Sequence, residues 1–152
     1  MRRKTLSIAE SCTGGLLGHM ITQTPGSSKY FMGGLITYSD EVKTGKLGIP
    51  RSGLMKHGAV SEYTAILMAK KVRKIFRTDI GIGITGIAGP DGATKTKPVG
   101  LVYIAASTVK DTFCKKFQFK GSRTEIKSHA ARAALHLLRE IDTFVGGYRS
   151  KL

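Results

Sequence analysis

Two hydroxyl side chains lie where a short apolar strand runs into a predicted helix. The segment Ala-Glu-Ser-Cys-Thr-Gly-Gly at residues 9–15 contains Ser11 and Thr13. In open α/β sheets, ligands bind beyond the carboxyl ends of strands, and free amides at a helix start attract anions and stabilise an oxyanion. Either hydroxyl is therefore placed to act as a nucleophile. Capping the helix is the commoner role of such a residue, and this segment alone leaves both roles open.

A tyrosine and a lysine stand at the end of the next predicted strand. Tyr38 ends that strand, and Lys43 lies one turn into the short helix that follows. A lysine becomes a base only where burial or a nearby cation lowers its pKa. A tyrosine hydroxyl can relay a proton or hold such a lysine in place. On its own Lys43 would be read as a surface lysine, but with a serine at another strand end it forms a candidate Ser–Lys dyad.

A long glycine-rich loop offers backbone that a ligand can approach. It contains Thr-Gly-Ile-Ala-Gly-Pro-Asp-Gly at residues 85–92, followed by Lys-Pro-Val-Gly at residues 97–100. Glycines allow close approach and positive φ angles, and the lysine of the second segment can offer charge to a phosphate or carboxylate. Gly81, Gly83 and Gly86 match the spacing of a dinucleotide fingerprint. We reject that interpretation, because these glycines lie in a predicted strand and no helix opens after them.

A further cationic side chain lies at the start of the last predicted helix. Arg123 belongs to the segment Gly-Ser-Arg at residues 121–123. An arginine beside helix N-terminal amides is typical of a phosphate clamp. A solvent-exposed arginine fits the local sequence equally well.

The hydropathy pattern and the turn residues predict an α/β fold around these segments. Strands mixed with helices of moderate length are typical of a three-layer α/β/α sandwich. A predicted hairpin favours a mixed, mostly parallel sheet over an all-parallel one. The predicted elements are a strand at Thr5–Glu10, a helix from Thr13 to about Thr24, a strand at Phe31–Tyr38, a short helix capped by Ser39 and ending near Lys46, a turn-rich stretch from Gly48 to Gly58, a helix capped by Ser61 and ending at Arg77, a strand at Asp79–Thr85, a hairpin of Val99–Thr108 with Thr112–Phe119, and a final helix opened by a capping box at residues 122–125.

Length and composition fit one globular domain. Of 152 residues, 41% are hydrophobic, so we predict a single domain over residues 1–152. No apolar run approaches the roughly 20 residues of a membrane span, and the basic N-terminus lacks the apolar segment of a signal peptide. We therefore expect a cytoplasmic protein. The two cysteines are far apart and the four histidines lack cysteine partners at ligand spacing, so we predict neither a disulfide framework nor a zinc site.

The formal net charge of +15 permits two kinds of partner. It suits nucleic-acid binding, and it equally suits the steering of phosphorylated small molecules. Five basic residues lie on one predicted helix, opposite its apolar face: Lys70, Lys71, Arg73, Lys74 and Arg77. We interpret them as a solvated helix face, because no nucleic-acid-binding signature accompanies them.

Taken in order, these segments resemble the C-terminal domain family of the competence/damage-inducible protein CinA. The resemblance runs from about Thr5 to Ile141. Family members usually carry a helix before the first strand and acidic residues before Lys-Pro, whereas this chain begins almost at the strand and has Ala-Thr-Lys-Thr at residues 93–96. The matching motifs are residues 9–15, Pro-Gly-Ser-Ser at 25–28, Thr-Tyr-Ser at 37–39, Lys43, His-Gly-Ala-Val-Ser at 57–61, residues 85–92, residues 97–100 and residues 121–123.

Stand-alone members of that family are nicotinamide-nucleotide amidohydrolases. The resemblance therefore implies a deamidase that converts nicotinamide mononucleotide to nicotinate mononucleotide and ammonia, with no metal or organic cofactor. It implies Ser11 as the nucleophile, with Tyr38 and Lys43 in the catalytic set, on an α/β/α sandwich that forms a homo-oligomer. The residues expected to bind the nucleotide are Thr13, Gly14, Gly15, Thr85, Gly86, Ala88, Gly89, Lys97 and Arg123.

Three alternatives stay open at this point. Cys12 is a rival nucleophile, since thiolates at helix starts are activated, although no imidazole accompanies it in the motif. The other two alternatives are a nucleotide-binding module without activity and a basic accessory protein of DNA uptake or repair. The intact set of Ser11, Tyr38 and Lys43 favours catalysis over both of these.

Overall fold

A five-stranded β-sheet forms the centre of the protein. The computed structural model describes residues 4–144, with side chains described for residues 4–141, so the domain predicted over residues 1–152 extends past the described part at both ends. Numbered by their order along the chain, the strands lie side by side in the sheet in the order second, first, third, fourth and fifth. They are β1 (Leu6–Glu10), β2 (Phe31–Ile36), β3 (Ile80–Gly86), β4 (Leu101–Ser107) and β5 (Thr112–Gln118).

Four of these five strands run in the same direction. β1 lies parallel to both β2 and β3, while β4 lies antiparallel to β3 and to β5. The prediction of an α/β fold with a mixed, mostly parallel sheet is confirmed. Because β1, β2 and β3 are adjacent and parallel, their carboxyl ends meet at one edge of the sheet, where ligands bind in folds of this kind.

Helices cover both faces of the sheet and complete the three layers. α1 and α5 pack on one face, where Leu17 and Ile126 share a buried cluster with Ile8 of β1. α4 packs on the other face, where Met68 shares a cluster with Ala9 of β1. Among the described residues, no helix is both long enough and apolar enough to cross a membrane. In the described part of the chain, the helices are α1 (Leu16–Thr22), α2 (Asp40–Gly45), α3 (Arg51–His57), α4 (Glu62–Phe76) and α5 (Arg123–Phe144), and Ser27–Lys29 form a 3₁₀ turn.

Two glycines of β3 allow α4 to lie close against the sheet. A Cβ at Gly81 would lie 2.2 Å from the carbonyl oxygen of Ala69, and a Cβ at Gly83 would lie 2.5 Å from that of Ala65. Any larger residue would push the helix away. These glycines therefore serve helix–sheet packing, which agrees with the rejection of a dinucleotide fingerprint in this strand.

The prediction of a turn-rich stretch between Gly48 and Gly58 is wrong in part, because this stretch contains α3. Gly53 lies inside that helix, and a Cβ there would lie 2.1 Å from the hydroxyl oxygen of Tyr63 on α4. Leu54 is buried in the cluster beneath α4. Packing against α4 thus stabilises a short helix that its own sequence does not favour.

The predicted helix caps are confirmed where they were assigned. The hydroxyls of Ser39 and Ser61 each accept a hydrogen bond from the amide three residues further on. Ser122 and Glu125 exchange the two hydrogen bonds of a capping box, amide to side chain in each direction. These caps fix the starts of α2, α4 and α5.

The start of α1 differs from the prediction. The helix begins at Leu16 and not at Thr13, because Gly14 and Gly15 take positive φ angles of 60° and 101°. Such angles are left-handed and interrupt a right-handed helix. Residues 11–15 therefore form a turn between β1 and α1.

Candidate active site

Ser11 lies just past the end of β1 and between its two parallel neighbours. Its amide donates to the carbonyl of Ile84 in β3 at 3.0 Å, and on the other side the amide of Thr37 donates to the carbonyl of Glu10 at 2.8 Å. These bonds continue the sheet past the strand end. Ser11 is 7% exposed. Its hydroxyl is thus held at the sheet edge where a ligand is expected.

Lys43 reaches Ser11 from α2, the helix that Ser39 caps. Lys43 is only 1% exposed, and lysine is almost never fully buried unless it is paired. Its Nζ lies 3.2 Å from Ser11 Oγ, 2.9 Å from the carbonyl oxygen of Thr37 and 3.0 Å from that of Tyr38. The structure therefore brings the two members of the predicted dyad within hydrogen-bond distance.

The two carbonyls determine which way a neutral Lys43 amine faces. A protonated lysine has three N–H donors, which match the two carbonyl oxygens and Ser11 Oγ. A neutral amine has two N–H donors and one lone pair. With both donors bound to the carbonyls of Thr37 and Tyr38, the lone pair faces Ser11, and the serine hydroxyl can donate to it. This geometry suits general-base activation of the serine.

Burial lowers the pKa of Lys43, because surroundings of low polarity disfavour the charged ammonium. The carboxylate of Asp40, with one oxygen 3.9 Å from Nζ, opposes this shift in part. The Asp40 side chain is 59% exposed, so water screens its charge. The net shift is downward, which increases the fraction of neutral amine near neutral pH.

Tyr38 uses different atoms for its two neighbours in the site. Its hydroxyl binds Arg123, whereas its backbone carbonyl binds Lys43. Arg123 donates from Nη2 to the Tyr38 hydroxyl at 2.9 Å and from Nη1 to the carbonyl of Gly89 at 2.6 Å. The arginine thus joins the end of β2 to the glycine-rich loop. A guanidinium has five N–H donors, so others stay available for a ligand.

Glu10 occupies the amides at the start of α1. Its carboxylate is 1% exposed and accepts hydrogen bonds from the amides of Gly15, Leu17 and Gly18 at 3.1, 3.0 and 2.8 Å. Sequence reasoning missed this residue, although a signal was present. A glutamate at a strand end, followed by a glycine turn and a helix, is placed to face the positive end of that helix.

Fewer amides are available to an oxyanion than the sequence suggested. The amide of Gly15 donates to Glu10, and that of Gly14 donates to the carbonyl of Ser11 at 3.0 Å. Within residues 4–141, no acceptor is found for the amide of Thr13, and the amide of Cys12 faces only its own thiol. These two amides follow Ser11 directly, and they are the donors that can face an oxyanion formed there.

A family model for the CinA C-terminal domain matches residues 1–141 of this chain. The chain belongs to this family. It is 52% identical over 139 residues to a CinA-like protein of Gemmatimonas aurantiaca, covering 91% of this chain and 32% of that protein. It is 51% identical over 135 residues to a CinA-like protein of Kosmotoga olearia, covering 89% of this chain and 33% of that protein. The chain thus spans about a third of the length of these relatives.

Solved structures of CinA proteins share the fold of this domain. The competence/damage inducible protein CihA from Agrobacterium tumefaciens matches with a TM-score of 0.88 at 37% identity, covering 90% of this chain and 84% of that one. A competence-damaged protein (CinA) superfamily protein from Escherichia coli matches with a TM-score of 0.88 at 30% identity, covering 91% and 81%. These similarities support the α/β architecture described above.

In this CinA C-terminal domain, the glycine-rich loop packs inward at most of the predicted binding positions. Thr85 is buried and its hydroxyl donates to a backbone carbonyl at 2.7 Å, while Ala88 lies in the main core. A Cβ at Gly86 would lie 2.7 Å from a β4 carbonyl oxygen, and one at Gly89 would lie 2.5 Å from a valine side chain. Packing therefore explains these residue types, and the loop joins the site through the Gly89 carbonyl bound to Arg123.

Lys97 has a hydrogen-bond partner at the end of α3. Its Nζ donates to the carbonyl of His57 at 2.9 Å, at the end of α3. A cation at a helix C-terminus is favoured by the helix dipole. The structure therefore gives Lys97 a partner in the fold, and its role toward the nucleotide stays a prediction.

Cysteine and histidine side chains form no second reactive centre in the described part of the chain. Burial raises the pKa of Cys12 to about 12, so its thiol stays protonated at neutral pH and is a poor nucleophile. Burial likewise raises the pKa of Cys114 to about 12. Among the residues with described side chains, no three His, Cys, Asp or Glu lie together so as to hold a metal ion.

Proposed function

We propose that this domain hydrolyses the carboxamide of nicotinamide mononucleotide to give nicotinate mononucleotide and ammonia. The observation that carries the proposal is the buried Lys43 amine, held 3.2 Å from Ser11 Oγ by two backbone carbonyls. An amide is attacked readily only by an activated nucleophile, and this pair can supply one. The choice of substrate comes from the family resemblance.

In the first step, Ser11 Oγ attacks the carboxamide carbon while neutral Lys43 accepts the serine proton. The amides of Cys12 and Thr13 stabilise the oxyanion of the tetrahedral intermediate. Lys43 then gives its proton to the leaving nitrogen. The carbon–nitrogen bond breaks, ammonia departs, and an ester joins Ser11 to the nicotinate mononucleotide.

In the second step, water takes the place of the serine. Lys43 accepts a proton from the water as its oxygen attacks the ester carbonyl, and the same two amides stabilise the new oxyanion. The ester bond to Ser11 breaks, and Lys43 returns the proton to Ser11 Oγ. The free N–H groups of Arg123 are placed to orient the nucleotide beside Tyr38.

Ammonia release from nicotinamide mononucleotide, compared between the wild type and Ser11→Ala, tests the proposal. Ser7→Ala is a matched control, because Ser7 is a fully buried serine at the opposite end of β1, bonded to Thr78 at 2.7 Å. We expect Ser11→Ala to abolish release and Ser7→Ala to retain it per folded molecule. A folded wild type without release would overturn the proposal. Tight nucleotide binding without turnover would then favour a binding module, and salt-sensitive DNA binding an accessory protein.

A further inference from the structure

A groove between α1 and α5 lies beside the Ser11 turn and takes no part in the proposed proton transfers. Its volume is about 400 Å³, within the range of small-ligand sites. The turn from Thr13 to Gly15 forms its floor, with His19 of α1 on one side and Thr124 and Lys127 of α5 on the other. No carboxylate is among the described residues that line it.

Lys127 brings an ammonium group over this turn. Its Nζ lies 3.7 Å from the position that a Cβ would take at Gly14. The lysine is half-buried, and its amine has no hydrogen bond or ion pair with any residue that the structure describes. A cation that loses part of its water is normally paired with an anion or with acceptors. Lys127 is thus available to an anionic ligand.

Thr13 supplies a second and independent observation at the same place. It is 1% exposed, and its hydroxyl oxygen has no hydrogen-bond partner within the described residues. Buried hydroxyls are rarely left unpaired in folded proteins. Thr13 lines the groove, and its hydroxyl oxygen has almost no exposed surface, so an oxygen-rich ligand bound there would become its partner through a small shift of the turn.

Arg123, the phosphate clamp predicted from the sequence, already has two partners in the fold. It lies four residues before Lys127, on the same face of α5, and its guanidinium binds the Gly89 carbonyl and the Tyr38 hydroxyl. Of these two cations, Lys127 is the one without a partner in the described part of the chain. Lys127 is therefore the cation that the groove itself offers, while Arg123 keeps N–H donors for other parts of a ligand.

We propose that this groove binds the phosphate of the nucleotide, with Lys127 as counter-charge and the hydroxyls of Thr13 and Thr124 as donors. A phosphomonoester is a tetrahedral dianion, and ammonium and hydroxyl groups are donors that it accepts. The identity of the nucleotide rests on the proposed function, whereas phosphate binding can be measured without turnover. The turn at residues 11–15 would then hold the carboxamide at one side and the phosphate at the other.

Lys127→Gln removes the charge, and Arg132→Gln is its matched control, because Arg132 is exposed on the same helix and does not line the groove. We would measure binding of inorganic phosphate by calorimetry, and ammonia release from nicotinamide mononucleotide and nicotinamide riboside. We expect Lys127→Gln to weaken phosphate binding and raise the KM for the mononucleotide by about tenfold or more, as expected for a hydrogen bond to a charged group. Preference for the mononucleotide over the riboside should fall by the same factor. Arg132→Gln should stay within about twofold of the wild type.

Two results would overturn the phosphate site. One is an equal loss with both substrates in Lys127→Gln, and the other is a loss in Arg132→Gln as large as in Lys127→Gln. A wild type that binds phosphate through Lys127 but releases no ammonia would refute the proposed function and still support the site. Thr13→Val, which is nearly isosteric, should weaken phosphate binding by a smaller factor. Unchanged phosphate binding in both Thr13→Val and Lys127→Gln would refute the site even if turnover is lost.

Discussion

Glu10 and Lys43 are both charged, both 1% exposed and both next to Ser11, yet their hydrogen-bond partners differ in kind. Glu10 accepts three backbone amides from the start of one helix. Lys43 donates to two backbone carbonyls and to the hydroxyl of Ser11. Both charges lose water on folding, which is unfavourable unless polar groups replace that water.

This difference in partners gives Glu10 a structural role and Lys43 a role in the proposed reaction. All three partners of Glu10 are backbone amides, which do not ionise at neutral pH, so the carboxylate fixes the start of α1 against the Ser11 turn. One partner of Lys43 is a hydroxyl that can give up its proton. Burial lowers the pKa of Lys43 while the carbonyls hold it in place, a combination typical of a catalytic base. Partners, and not burial alone, therefore decide what a buried charge does.

Removal of the lysine should have the largest effect on catalysis. Lys43→Met keeps a similar side-chain volume but removes the base, so we expect kcat for ammonia release to fall by about 10²–10⁴-fold. Stability should stay within about 2 kcal/mol of the wild type, because two carbonyls lose a donor while the burial of a charge is also removed. Steady-state kinetics and urea denaturation measure both quantities. Near-normal turnover in Lys43→Met would exclude Lys43 as the base.

Glu10→Gln should act in the opposite way, mainly on stability. The amide keeps the size of the carboxylate but places a donor nitrogen against at least one backbone N–H. We expect the free energy of unfolding to fall by about 2–4 kcal/mol, since hydrogen bonds to charged groups contribute about 1.5–3 kcal/mol each. The kcat of the folded protein should fall less than in Lys43→Met. Glu41→Gln is the control, because Glu41 is exposed on α2. Equal unfolding midpoints for Glu10→Gln and Glu41→Gln would contradict the role given to Glu10.

The features that could be predicted from the sequence are those with local signals. The caps at Ser39 and Ser61 and the box at residues 122–125 each act over three residues, and all three are present. Ser11 and Lys43 were each marked by a strand end. Their approach follows from the parallel pairing of β1 with β2, because parallel neighbours end at the same edge of the sheet.

The features that sequence reasoning missed depend on contacts between distant segments. The stretch from Gly48 to Gly58 was predicted as turns, yet it contains α3, in which Gly53 fits closely against Tyr63 of α4. The hydroxyl of Tyr38 was expected to take part in catalysis, and it binds Arg123, 85 residues away, a partner that no local pattern indicates. Lys97 was expected at the nucleotide, and in the fold its Nζ binds the carbonyl of His57, 40 residues away. Neither hydropathy nor spacing reports such partners, since they arise only once the layers have packed.

Asp40 should have the smallest effect, on the pH at which Lys43 becomes a base. Activity rises with pH as Lys43 loses its proton, and the Asp40 carboxylate raises the pKa of Lys43. Asp40→Asn removes that influence, so the rising limb of the pH–rate profile should move to lower pH with little change in the plateau. Glu41→Gln controls for charge at the start of α2, because Glu41 lies in the same first turn and raises the pKa of Lys43 more weakly. The rising limb of the pH–rate profile should therefore move less in Glu41→Gln than in Asp40→Asn.

Salt gives an independent check of the same contact. The Asp40 side chain is 59% exposed and its nearest oxygen is 3.9 Å from Nζ, so dissolved ions can screen this pair. Added salt should therefore move the wild-type limb toward that of Asp40→Asn and leave the limb of the variant nearly in place. A limb that moves to higher pH in Asp40→Asn would mean that a group other than Lys43 controls activity. A wild-type limb that salt does not move would mean that burial alone sets the pKa of the base.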